Sequence, residues 1–161
     1  MVTAGISCSG SHTSPFLPEQ LRGVYLGMPL TKLKELRPYV VGIGRTGILI
    51  EELRDDPRFI RAKYIFDKDK RLAGVALAVP KRVNDNDVFQ FAQEHGGKLT
   101  DEEYGARGKL QAIWKRNDVV LDLYRFNSRY RLIYGVVRAK YWYADTGRAL
   151  SLDEWNPNRE R

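Results

Sequence analysis

Two stretches of sequence, YIFDKDKRL at residues 64–72 and YRFNSRYRL at residues 124–132, decide the predicted fold. Tyr, Phe, Arg and Leu recur in register between the two stretches at an offset of 60 residues. Each stretch has the pattern of a strand, a turn of about four polar residues and a second strand. The sequence therefore predicts an internal repeat that is built on two β-hairpins.

Alternating apolar residues extend both hairpins and add one strand before each of them. The predicted strands of the first unit are 48–53, 59–66 and 72–79, and those of the second unit are 110–115, 119–126 and 132–137. A short helix precedes each set of strands. The first helix is predicted over 29–37, with Pro29 at a first helical position, and the second over 87–95, ended by Gly96 and Gly97.

These elements predict an α+β fold of two tandem repeats, each a helix followed by a three-stranded antiparallel meander. One such unit alone buries little apolar surface, so we expect the two repeats to share a core. The predicted domain covers residues 19–143, with repeats at 19–82 and 83–143. It is flanked by an N-terminal tether at 1–18 and a C-terminal tail at 144–161.

The composition is that of a globular protein and excludes several classes. The chain has 161 residues, of which 43% are apolar and 29% charged, and its formal net charge is +7. No stretch approaches the roughly 18 to 20 apolar residues of a transmembrane helix. One cysteine excludes an internal disulfide, and one cysteine with two histidines is too few for a structural zinc site.

One face of the second unit carries aromatic residues among charged ones. Strand alternation turns Ala112, Trp114, Leu121, Leu123 and Tyr134 toward the helix, and Ile113, Lys115, Val120, Asp122, Tyr124, Phe126 and Ile133 to the opposite face. That mixture suits an interface better than a dry core. The predicted partner-binding residues are Tyr124, Phe126, Tyr141, Tyr143 and Lys115. The alternative is that these rings pack beneath the C-terminal tail, since large apolar residues are more often core.

The first residues have the pattern of a bacterial lipoprotein signal. A small residue precedes Cys8, and a spacer rich in Ser and Gly follows it. In such signals the cysteine becomes lipidated, so we predict Cys8 as the lipidation site and a membrane attachment through it. The residues before Cys8 are too few for a charged region plus an apolar region, so this interpretation requires a longer leader. The alternative is an N-terminal tail with an incidental cysteine.

The opening of the first unit resembles a known family. Gly27-Met28 is followed at once by the predicted helix and a small meander, which resembles the SmpA/OmlA family of small outer-membrane lipoproteins of the β-barrel assembly machinery. The tandem design also resembles the β-lactamase inhibitor protein family. The resemblance covers about residues 20–140, although residues 84–87 replace the Gly-Met pair in the second unit. Both families are binding proteins, so the resemblance implies a binding module rather than an enzyme.

One glycine motif matches the sequence pattern of dinucleotide-binding proteins. Residues 42–47 (GIGRTG) fit the dinucleotide-binding pattern, and Asp67 follows 20 residues after the last glycine. The surrounding pattern does not fit, because no helix of sufficient length and no further alternation of strand and helix follow. Neither histidine has a nearby Ser or Cys in the sequence context of a catalytic nucleophile. We therefore expect no enzyme activity, no catalytic residues, no metal and no cofactor.

The sequence predicts a non-catalytic protein–protein interaction or scaffold module of the bacterial cell envelope, a lipoprotein on the periplasmic side whose partner is another envelope protein. The alternative is a cytoplasmic domain that binds single-stranded nucleic acid, because Lys and Arg are interleaved with aromatic residues along the predicted strands. Basic residues are spread evenly and acids lie among them, so nucleic acid is the less favoured partner. Anionic phospholipid headgroups explain the excess of positive charge equally well.

Overall fold

The structure, a computed structural model, describes residues 12–43, 47–95, 98–104, 110–125 and 132–142. These residues form an α+β fold with one antiparallel sheet, which confirms the predicted class. The strands are β1 Val41–Ile43, β2 Ile48–Glu52, β3 Arg61–Phe66, β4 Leu72–Ala78, β5 Lys98–Tyr104, β6 Leu110–Arg116, β7 Val119–Arg125 and β8 Leu132–Arg138. The α-helices are α1 Leu30–Leu36, α2 Asp85–Glu94 and α3 Ala139–Trp142, and a short 3₁₀ helix covers Glu19–Leu21.

The sheet has the order β1-β2-β3-β4-β8-β7-β6-β5, and every neighbouring pair of strands is antiparallel. α1 and α2 are each followed by four described strands, one more than predicted. The two additional strands, β1 and β5, carry weak strand signals. β1 has only three residues and contains Gly42, and the sequence of β5, KLTDEEY, includes three consecutive acidic residues. An antiparallel sheet also excludes the open parallel sheet that a dinucleotide fold requires.

A turn of four residues at 67–70, as the sequence predicts, would pair Tyr64 with Ala73. Tyr64 instead lies opposite Val75, and the register shifts between Ile65 and Phe66. The 60-residue alignment of the two hairpins is not a structural equivalence either. Tyr64 and Tyr124 lie on opposite faces of the sheet, because a displacement of one residue turns a strand side chain to the other face.

The main core lies between the helices and one face of the sheet, which we call the helix face. Alternate residues of six strands, from Leu49 in β2 to Trp114 in β6, point into it. α2 begins behind Asn84, whose side chain accepts a hydrogen bond from the N–H of Asn86 at 2.9 Å, and it buries Val88, Phe91 and Ala92. The predicted assignment of Ala112, Trp114, Leu121, Leu123 and Tyr134 to this face is confirmed.

The opposite face of the sheet, here called the second face, holds two smaller apolar clusters. Ala76, Tyr124 and Ile133 form one of them, and Ile113, Val120 and Val137 form the other. α3 packs on β7 and β8 and places Ala139 and Tyr141 against the cluster of Ile113, Val120 and Val137. The second face is therefore buried at these positions instead of lying open.

Candidate protein-interaction site

Tyr124, the central residue of the predicted site, is buried on the second face with 6% of its surface exposed. Its hydroxyl is also buried and has no hydrogen-bond partner. Burial raises the pKa of this hydroxyl above its ordinary value, and the nearby carboxylate of Asp122 raises the pKa further. A partner therefore cannot contact this ring while the face stays closed, and a binding role for Tyr124 remains a prediction.

The other predicted site residues are divided between the second face and parts of the chain without a described structure. Lys115 lies on β6 and is half-buried. The ring of Tyr141 packs on the second face, and its hydroxyl donates a hydrogen bond to Oδ2 of Asp67 in the β3–β4 turn. Phe126, Tyr143 and Cys8 lie outside the described residues, so their predicted roles stay predictions. The structure thus places Tyr124, Lys115 and Tyr141 on the same face of the sheet, but Tyr124 and Tyr141 pack in different clusters.

The exposed apolar surface of the described residues lies at the free edge of the sheet instead. Leu36, Tyr39 and Val41 expose 40%, 84% and 62% of their surfaces, and they are the exposed large hydrophobic residues of the described chain. Val41 opens β1, which pairs with β2 on one side and forms the edge of the sheet on the other. We call Leu36, Tyr39 and Val41 the edge patch.

A groove of about 880 Å³ runs beside the edge patch. Its lining includes the three edge-patch residues, and Ile50 and Leu53 add further apolar surface. The edge strand can also offer backbone N–H and C=O groups, because a strand at a sheet edge pairs along one side only. An extended polypeptide is bound by two features together, the backbone groups of an open strand edge and the apolar side chains beside it. This part of the molecule has both.

A network of hydrogen bonds between polar side chains lies along the groove. Arg37 donates from Nε and Nη2 to the carboxylate of Glu51, with the shortest distance 2.6 Å, and from Nη1 to the carbonyl of Gln20 at 2.8 Å. The hydroxyl of Tyr64 donates to the same carboxylate at 2.7 Å. Glu51 is only 7% exposed, so its charge is compensated within the chain. This network holds the end of α1 against β2 and so positions Leu36 and Tyr39.

Burial changes the pKa values of the groups in this network. Desolvation raises the pKa of Tyr64 well above its ordinary value, and the adjacent Glu51 carboxylate acts in the same direction. Burial alone would lower the pKa of Arg37, but the hydrogen bond and charge of Glu51 raise it overall. Arg37 therefore stays cationic and Tyr64 stays neutral at ordinary pH. The network is suited to fixing positions rather than to transferring protons.

Gln20 lines both this groove and a neighbouring cleft. Its side-chain oxygen accepts a hydrogen bond from the N–H of Asp55 at 3.2 Å. Its side-chain nitrogen is buried and has no hydrogen-bond partner. An unsatisfied buried donor has a free-energy cost, so the polar contacts at this end of the groove are incompletely satisfied in the chain alone.

The sequence contains a signal for the edge patch that strand alternation does not reveal. Residues 38–43 (PYVVGI) join an aromatic residue to a short apolar run directly after a helix. The alternation of apolar residues predicts no strand in this run. A three-residue strand does not generate the alternation that identifies longer strands, and exposure at an edge cannot be inferred from apolar character alone.

The part of the chain that the structure describes shows no cluster of three or more His, Cys, Asp or Glu residues that could hold a metal ion. Among the same residues, no helix is both long enough and apolar enough to cross a bilayer. Comparisons with protein-family models, with curated proteins and with solved structures found no match to this chain.

Proposed function

We propose that this domain is a non-catalytic protein-interaction module, and that the edge patch with the outer side of β1 is its binding surface. The observation that carries the proposal is that the large exposed apolar side chains of the described residues fall within positions 36–41, beside an open sheet edge. Grouped apolar residues on the surface of a monomeric protein often mark a binding site.

The occupant that fits this surface is an extended segment of a partner protein. Such a segment would pair its backbone with β1 and place alternate apolar side chains on Tyr39, Val41 and the groove beside them. The Arg37–Glu51–Tyr64 network supports this geometry, because it is satisfied within the chain and does not need to rearrange when the partner binds. A short β1 also limits uncontrolled edge-to-edge association.

The wider setting is part of the same proposal. The sequence of elements supports two related units, α1 with β1–β4 and α2 with β5–β8, whose last strands β4 and β8 pair at the centre of the sheet. The resemblance of the sequence to small envelope lipoproteins supports a bacterial envelope location with attachment through Cys8. The partner would then be another envelope protein.

Site-specific photo-crosslinking tests the surface. Tyr39 is replaced by a photoreactive phenylalanine analogue in cells that produce the protein, since a side chain with 84% exposure tolerates the change without loss of packing. After irradiation, we expect a discrete adduct with one protein, and mass spectrometry then identifies its crosslinked segment. The matched control carries the same analogue at exposed Arg82 in the loop before α2 and should give no such adduct.

Two results would contradict the proposal. One is the absence of an adduct at position 39 when the altered protein is produced and folded normally. The other is an adduct that is equally abundant at position 82, which would indicate nonspecific encounter. As a second measurement, Val41→Lys should remove the adduct at position 39, because a charge then replaces an apolar contact on the edge strand.

A further inference from the structure

Among the described residues, one end of the sheet carries an excess of positive charge. The β3–β4 turn, the β6–β7 turn and the junction of β8 with α3 lie at this end, as the pairing of Phe66 with Leu72 and of Val119 with Arg138 shows. Residues 67–71, 116–118 and 138–140 carry six cationic side chains and three carboxylates. The cationic residues, which define what we call the basic end, are Lys68, Lys70, Arg71, Arg116, Arg138 and Lys140.

Contacts show that much of the basic end forms one surface. Nη1 of Arg71 donates to the carbonyl of Gly27 at 3.1 Å. The guanidinium of Arg138 also lies beside Gly27, since a Cβ atom added to Gly27 would stand 3.7 Å from Nη1 of Arg138. Arg138 and Lys140 then both face the ring of Tyr141, with the ammonium of Lys140 4.8 Å from the ring centre. Lys68, Lys70 and Lys140 are exposed to solvent.

The opposite end of the sheet has no such excess, because residues 52–61 and 79–87 together carry five cationic side chains and five carboxylates. A cleft of about 820 Å³ opens there beside the β2–β3 loop, and its lining includes Glu19, Asp55, Asp56, Asp87 and Glu94. The cation within it, Arg58, is paired with Asp56 at 2.8 Å. The six residues of β3 span about 20 Å between the two ends. The charge distribution is therefore polarised along the strands, and an electric field from a charged surface would orient the molecule.

We infer that the basic end docks on the surface of an anionic phospholipid bilayer. Its exposed lysines project from a turn and a helix end, so several of them can reach a flat layer of phosphate groups together. Single-stranded nucleic acid fits less well, because its binding requires open aromatic faces for base stacking. The Tyr141 ring is half-buried, and its hydroxyl is bonded to Asp67.

The chain also enters the described fold at this end. His12 and Thr13 line a cleft with Arg116 and Asn117 of the β6–β7 turn. Three residues lie between Cys8 and His12, so the two can be at most about 14 Å apart along an extended chain. A lipid on Cys8, which belongs to the proposed function, would therefore bring the basic end to the headgroups. The bilayer contact itself rests on the lysines and arginines and not on the lipid.

Docking at the basic end is compatible with partner binding at the edge patch. α1 begins beside the β3–β4 turn, where the N–H of Leu30 donates to the carbonyl of Lys70 at 2.9 Å. The helix then runs away from that turn toward Leu36. Val41 pairs with Ile50 and is further from the basic end than Ile43. A docked molecule would therefore hold its edge patch away from the bilayer.

Vesicle binding tests the inference, with the full chain carrying an unmodified Cys8 so that no lipid contributes. Vesicles of phosphatidylcholine alone are compared with vesicles that contain about 30% phosphatidylglycerol. We expect binding to the anionic vesicles only, and weaker binding as salt is added. The triple variant Lys68→Ala, Lys70→Ala and Lys140→Ala should lower the partition coefficient on the order of 100-fold, about fivefold for each lysine near the surface.

A matched triple variant controls for net charge. Arg54→Ala, Lys81→Ala and Arg82→Ala remove the same number of charges from exposed positions at the opposite end. Partitioning of this control should stay close to that of the unaltered chain, because charges further away than a Debye length are screened. Circular dichroism and thermal unfolding of both variants establish that they are folded.

Three outcomes would overturn the inference. The first is equal loss of binding in the two triple variants, which would assign the effect to net charge alone. The second is no binding of the unaltered chain to anionic vesicles. The third is tighter binding to a single-stranded oligonucleotide than to vesicles at the same phosphate concentration. None of them affects the adduct at position 39, so this inference and the proposed function fail separately.

Discussion

The polar groups of buried aromatic side chains are hydrogen-bonded on one face of the sheet and unpaired on the other. On the helix face, the hydroxyl of Tyr134 donates to the carbonyl of Phe16 at 2.6 Å, and the indole N–H of Trp114 donates to Oε1 of Gln93 at 3.2 Å. On the second face, the hydroxyl of Tyr124 is buried without a partner. The difference shows that burial of an aromatic ring and satisfaction of its polar atom are separate requirements, and only the helix face meets both.

Two polar contacts differ in their exposure to solvent. Glu51 is buried and is bonded to both Arg37 and Tyr64. The contact from Tyr141 to Asp67 lies at the rim of the second face and is partly exposed to solvent. Removing one partner of a buried ion pair is costly, whereas an exposed contact contributes little. The free energy of unfolding should therefore respond more strongly to changes at Glu51 than to changes at Asp67.

The largest effect is expected at Glu51. Glu51→Gln leaves the guanidinium of Arg37, 20% exposed, without its counter-charge. We expect the free energy of unfolding to fall by about 2 kcal/mol, less than the cost of breaking a fully buried pair because Arg37 keeps some hydration. Urea denaturation measures the change.

The neighbouring pair provides the control for this prediction. Glu52 is bonded to Arg61 at 2.7 Å, and the side chain of Glu52 is 58% exposed. Glu52→Gln should change the free energy of unfolding by less than about 0.5 kcal/mol. Equal losses in the two variants would contradict the distinction between a buried and an exposed pair.

An effect of intermediate size, with opposite signs on the two faces, is expected from removing single hydroxyl groups. Tyr134→Phe loses a satisfied hydrogen bond and leaves the carbonyl of Phe16 without that donor, so stability should fall by about 1 kcal/mol. Tyr124→Phe removes an unsatisfied buried hydroxyl, so stability should rise by about 1 kcal/mol. Thermal and urea unfolding of both variants measure the two signs. A loss of stability in Tyr124→Phe would show that its hydroxyl is satisfied in solution.

These contrasts also show how much the sequence could predict. The alternation of Trp114, Leu121 and Tyr134 identified the helix face correctly, because burial against a helix imposes a period of two on the strands. The same alternation placed Tyr124 on the second face but could not show that this face is buried. Burial there depends on what covers the sheet, and α3, which covers part of it, is only four residues long.

The candidate site was harder to predict than the core. Leu36 belongs to the predicted first helix, but its exposure follows from where α1 ends against β2, which the pairing of Arg37 with Glu51 determines. Fourteen positions separate those two residues, and local pattern cannot foresee such a contact. The edge strand likewise could not be identified from alternation, because it has only three residues. Patterns of local sequence thus predicted the central strands, whereas long-range contacts determine which apolar residues stay exposed.

The smallest predicted effect is at Asp67, and it depends on pH. Burial alone would raise the pKa of Asp67, but hydrogen bonds from the Tyr141 hydroxyl and from the N–H groups of Arg71 and Asp69 lower it below the ordinary 3.8. A lowered pKa in the folded state contributes stability that is present above about pH 4 and is lost as the pH falls through the folded-state pKa. Asp67→Asn should therefore cost about 0.5 kcal/mol at neutral pH and almost nothing in strong acid.

The same substitution should be visible at Tyr141. Burial, together with the bond to Asp67 and its charge, raises the pKa of Tyr141 to about 12. Without the carboxylate, this pKa should move back toward 10, and ultraviolet difference titration detects the shift. Asp55→Asn, at the opposite end of the sheet, is the control and should leave the titration of Tyr141 unchanged. If Tyr141 titrates identically in the Asp67→Asn variant, the contact does not hold α3 to the β3–β4 turn, and the second face is closed by packing alone.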